Sequence, residues 1–100
     1  MASKQHLLDF LDRHVFDPIL RASASDYSEA DQKKLKDVQD RTRSEKERFR
    51  AYANAGEVIE NFKRDLHSEP AKRVDRELEH LKLPTLPSVR DQFLKEAGES

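Results

Sequence analysis

The run Asp31–Arg50, DQKKLKDVQDRTRSEKERFR, carries charge at 13 of its 20 positions, and its apolar residues are few but ordered. Leu35, Val38, Phe49 and Tyr52 fall on steps of three and seven, with polar Thr42 and Glu45 in the places between. That spacing predicts a narrow seam along one side of a long, otherwise solvated helix. Oppositely charged residues four apart support it: Lys33 with Asp37, Lys36 with Asp40, Asp37 with Arg41, Arg41 with Glu45 and Arg43 with Glu47. Each such pair adds roughly 0.2–0.5 kcal/mol on a helix surface. A helix this polar is not held by its own packing, so it must lean on other helices of the chain, on a second copy or on a partner.

The segments on either side supply the apolar material. Ser3 is placed to cap a first helix, with Leu7, Leu8, Leu11, Val15 and Ile19 on one side and Phe10, Phe16 and Leu20 widening the stripe. Asp17-Pro18 interrupts it, because proline lacks the amide and disfavours helix in the residue before it. The expectation there is a kink, or a new turn with Pro18 in its first position. Arg21 to Tyr27 reads as a linker, and Ser28-Glu29-Ala30-Asp31 has capping-box spacing with Asp in place of Glu or Gln. Asn54-Ala55-Gly56 is expected to stop the long helix, with Gly56 in the left-handed position. Val58, Ile59, Phe62 and Leu66 mark a further helix. Ser68-Glu69-Pro70 opens another that carries Val74, Leu78 and Leu81. Two prolines make Leu83–Pro87 an extended connector, after which Ser88 is expected to cap a last helix with Val89, Phe93 and Leu94.

Composition agrees with this reading. Val, Ile, Leu, Met, Phe and Tyr number 26 of 100 residues, enough for one modest core, while two glycines and seven Val plus Ile argue against a β-rich domain. The fold class expected is all-α: a single domain over residues 1–100, a small bundle of four to five helices. Their spans are about 4–20, 28–55 for the long charged helix, 57–67, 69–82 and 88–97. The net charge of −1 excludes a strongly basic nucleic-acid binder on bulk electrostatics, although residues 31–50 alone sum to +3. Met1–His6 leads into a stripe broken by Asp9, Asp12 and Arg13, which is neither a secretory signal nor a membrane span. A cytoplasmic, bacterial-type protein is expected.

Enzymatic and metal signatures are weak. No cysteine is present, so thiol chemistry and cysteine metal sites are excluded. Glu77-Leu78-Glu79-His80 contains the Glu-x-x-His spacing of di-iron bundles, but such a site needs it twice, with two more carboxylates. His6 and His14 lie about two turns apart, too far for one ion unaided. Asp65, His67, Ser68 and Glu69 are neighbours in sequence, yet a triad must converge in space; the simpler reading is a helix end with Ser68 capping and Asp65 solvated. Gly56 and Gly98 are isolated, which rules out a glycine-rich phosphate loop.

The expectation is therefore a non-enzymatic helical interaction or adaptor protein with no cofactor, bound metal or small-molecule substrate. It would contact a protein partner, or a second copy of itself, through the long helix. Phe49 and Tyr52 are the expected aromatic anchors, Leu35 and Val38 continue the seam, and Arg41, Arg48 and Arg50 form a polar rim. The alternative is a metal-binding helical protein using Glu77 and His80. A nucleic-acid accessory protein is a weaker one, since Asp37, Asp40 and Glu47 interleave with the cations.

Overall fold

The computed structural model describes residues 2–99. It is an all-α bundle with no strand among the described residues, and no described helix is long and apolar enough to cross a membrane. The first rod is continuous: α1 (Lys4–Leu11), a π-helical turn (Asp12–Phe16) and α2 (Asp17–Arg21). The long helix α3 spans Glu29–Ala51, followed by α4 (Ala55–His67), α5 (Glu69–His80) and α6 (Arg90–Glu96). The molecule is elongated, 44 × 21 × 19 Å.

The rod passes Pro18 with no coil residue, and α2 starts at Asp17 with the proline in its first turn, the second of the two outcomes expected there. The π turn immediately before it shifts the hydrogen-bond register, and the Asp17 amide reaches back five residues to the Asp12 carbonyl. Widening the ladder by one residue makes room for the proline ring and its missing donor. Ser3, Ser28 and Ser68 cap as their positions suggest, accepting from the amides of His6, Asp31 and Ala71. Asp31 does not complete a capping box; its carboxylate lies 3.1 Å from His80 Nε2 instead.

The long helix does stop near Asn54, but Gly56 is not the stop. Tyr52 turns extended (ψ 146°), Asn54 caps the next helix by accepting from the Glu57 amide, and Gly56 is already helical within α4. Two other ends carry the left-handed signature. At α6, Gly98 (φ 79°) allows the Glu99 amide to reach the Leu94 carbonyl (2.8 Å). At α5, Lys82 (φ 59°) does the same for Leu83 and Leu78 (2.9 Å). The last helix also starts differently from expectation. Thr85 and Ser88 cap reciprocally, the Ser88 amide donating to Thr85 Oγ1 (3.1 Å) and the Thr85 amide to Ser88 Oγ (3.0 Å).

The core is one apolar cluster centred on the first rod. Phe62 stacks on Phe93 with centroids 3.9 Å apart, Phe10 meets Phe93 at 5.9 Å, and Phe16 meets Phe49 at 5.8 Å. Leu35, Val38 and Phe49 are each 1% exposed or less, so the seam of α3 is closed by its own chain. Of the three supports its polarity calls for, the seam of the long helix thus leans on other helices of the same chain. Val15, Phe16 and Ile19 project far enough from the first rod to cover it.

The ion pairs of α3 also differ from expectation. None of the five i,i+4 pairs forms. Arg43 binds Asp40 (2.7 Å) and Arg48 meets Glu45 (3.3 Å), both three apart. The rest reach other elements: Lys46 to Asp17 (2.8 Å), Arg50 to Asp12 (3.4 Å) and Arg48 to Asp65. Gln39 donates to the carbonyls of Ile19 (3.1 Å) and Ala22 (3.0 Å), tying the end of α2 to the long helix. Carboxylates on the π turn, α2 and α4 lie within reach of the long helix and take its cations from their helical neighbours.

Candidate functional site

Between Val38 and Phe49 the seam places Thr42 and Glu45 on the same stripe, and there the core opens. A cleft of ≈ 450 Å³ runs between α3 and α5. Its floor is apolar, from Val15, Phe16 and Ile19 of the first rod and Leu86 of the connector. Ala71, Val74, Asp75 and Leu78 come from α5, a three-and-four spacing that turns one helix face toward α3. Asp40, Arg41, Thr42, Ser44, Glu45 and Arg48 come from α3, and Asp65 from the end of α4.

The charged groups set the chemistry. The Asp65 carboxyl is buried, its side chain only 10% exposed, and the Arg48 guanidinium donates to it while holding Glu45 at 3.3 Å. Arg64 Nε stands 3.9 Å from the other Asp65 oxygen. Asp65 is thus not the solvated helix-end residue the sequence suggests. Burial pushes Glu45 up to about 8, helped by its hydrogen bond with Asp65 and that carboxylate's charge, with Arg48 pulling the other way. Glu45 thus keeps its proton well above the usual carboxylate range, beside the Arg48 guanidinium that binds Asp65. Burial also raises Asp75, to about 6, with Glu79 and Asp65 adding repulsion. Asp75 has no cation within 4 Å among the described residues, so it is an ionised, half-buried carboxylate with no ion-pair partner at pH 7.

The residues expected to form the partner surface divide into two sets. Leu35, Val38 and Phe49 are core, and a partner could reach them only by unpacking the bundle. Arg41 and Arg48 line the cleft; Arg50 is exposed and pairs with Asp12. Tyr52 is half-buried, edge-on to Phe49 at 5.2 Å, and its hydroxyl is buried without a hydrogen-bond partner among the described residues. Glu45, Asp65 and Asp75 were missed as site residues. The apolar gap between Val38 and Phe49 signalled Glu45, but nothing local in the sequence marks the convergence of Asp65 and Asp75 from two other helices.

The metal alternative gains nothing. His80 is exposed and paired with Asp31, His6 lies 2.8 Å from Glu96, and no described group of three His, Cys, Asp or Glu is placed to hold an ion. Comparison of the chain with models of known protein families, with curated proteins and with solved structures found no match in any of the three.

Proposed function

We propose that this chain is a non-enzymatic interaction protein that receives part of a partner protein in the cleft between α3 and α5. The observation that supports it is the cleft itself, of ≈ 450 Å³, floored by core side chains and flanked by Arg41 and Arg48 of the long helix. An apolar concavity with a few convergent polar groups is the surface most suited to gripping an anchor side chain. The long helix still supplies one wall, but its seam does not make the contact. Packing of that seam inside one chain removes the reason for placing a second copy on it.

Val74 is half-buried and lines the cleft from α5, so Val74→Arg fills the space without opening the core. Wild-type and Val74→Arg proteins serve as paired baits in affinity capture from native lysate, with thermal melts showing that both are folded. A protein retained by the wild type and lost with Val74→Arg is the expected result. Equal retention by both baits places the contact elsewhere and overturns the proposal.

A further inference from the structure

We propose that the segment taken up by the α3–α5 cleft is basic and apolar. A leucine- or phenylalanine-sized anchor packs on the floor, and an adjacent lysine or arginine sets its cation between Glu45 and Asp75. This rests on the reading above, that the cleft is the docking surface, and adds the chemistry of what docks.

The argument is one of charge complementarity over an apolar floor. Glu45 on α3 and Asp75 on α5 stand on the two helices that wall the cleft, with Phe16, Ile19 and Leu78 lining it between them. Cations near this acidic group are committed. Arg48 is shared by Asp65 and Glu45, and Arg64 lies at the edge of Asp65. Arg41 also lines the cleft, but it is exposed and its charge is solvated. Desolvated charge inside the cleft is thus predominantly carboxyl, and an incoming cation finds Asp75 unpaired. An acidic segment would meet Asp75 and, on α5, Glu79 as like charges.

A consequence separates this from simple apolar docking. Glu45 faces Asp65 and Arg48 directly and feels Asp75 across the cleft; Arg64 and Glu79 are the charged groups behind those two acids. A bound cation favours the ionised form of Glu45, which holds its proton at neutral pH in the free protein. Binding then releases a proton at pH 7, and affinity rises as pH is raised from 6 to 8, by about tenfold.

The test is selection of a phage-displayed random-peptide library on wild-type protein and on Val74→Arg, followed by calorimetry on the strongest wild-type peptide. Ala71→Phe, which fills the cleft without adding charge, repeats the comparison should Val74→Arg melt. Enrichment of lysine or arginine beside a large apolar residue, lost on the filled variants, is expected. Replacing that basic residue by norleucine should cost about tenfold in affinity, a loss absent when the protein carries Glu45→Gln with Asp75→Asn. Proton release, read from buffers of different ionisation enthalpy, should disappear in the same double variant. Neutral or acidic peptides that bind the wild type and are lost on Val74→Arg overturn the charge assignment while leaving the docking surface intact. No enrichment, or equal binding to the filled variants, overturns both.

Discussion

Lys82 holds a left-handed conformation (φ 59°) that costs an L-residue energy and glycine almost none, and its exposed side chain contributes no packing. Lys82→Gly is expected to stabilise the fold by about 1 kcal/mol, read as a higher denaturant midpoint at unchanged slope. Tyr52 carries a different defect, a buried hydroxyl with no partner among the described residues. Tyr52→Phe removes the unmet donor at little change in shape, so stability should rise by about 1 kcal/mol, or at least not fall. Glu45 makes stability depend on pH. Its carboxyl ionises near 4.5 in the unfolded chain and about 8 in the fold, so between those values the folded state holds a proton that the unfolded state has lost. Stability therefore falls as pH rises from 4.5 to 8, and Asp75 adds the same sign between 3.8 and about 6. A melting temperature several degrees lower at pH 8 than at pH 5 is expected, largely flattened in Glu45→Gln. An unchanged slope in that variant would show that Glu45 is not the group responsible.

At the scale of elements, α3 explains what a single sequence displays and what it hides. Its existence, length class and seam follow from the spacing of Leu35, Val38 and Phe49, because helical periodicity is a local property. Its starting cap, Ser28, was equally legible, whereas its end was not: Tyr52 closes it and Gly56, expected as the stop, lies inside α4. Its ion pairs were not legible either. Lys46, Arg48 and Arg50 bind Asp17, Asp65 and Asp12, which no i,i+4 rule can foresee, since the choice depends on which helices lie alongside. The π turn before Pro18 was hidden as well: its wider register, seen in the Asp17 amide bonded to the Asp12 carbonyl, leaves no mark in local propensity. Phe49 shows how the same limit bears on function. It reads as an anchor on an under-covered helix, but it is wholly buried against Phe16. Phe49→Ala should cost about 3–5 kcal/mol. Phe49→Asp should unfold the protein outright, seen as loss of helical circular dichroism, where a surface anchor would leave the fold intact.

At the scale of the whole molecule, the chain spends its apolar residues on one continuous core and leaves a gap in the long helix's cover between Val38 and Phe49. Carboxyls from three helices gather at that gap: the half-buried Glu45, the buried Asp65 and the unpaired Asp75. The all-α class was readable from residues alone. Seam closure and cleft formation were not, because the first depends on how the first rod lies on α3 and the second on how α5 does. Sedimentation of the isolated protein is expected to give a monomer near 11.7 kDa, since the seam that prompted the idea of a second copy is already filled. The central claim is that the seam is closed and the cleft beside it open. Because the chain has no cysteine, single-cysteine variants test this against a clean background. The most direct measurement is the rate at which Val38→Cys and Val74→Cys react with a thiol reagent under native conditions. Val74→Cys should react at the rate of an accessible thiol, and Val38→Cys only through global unfolding, slower by about a thousandfold or more. Comparable rates at the two positions would contradict the account.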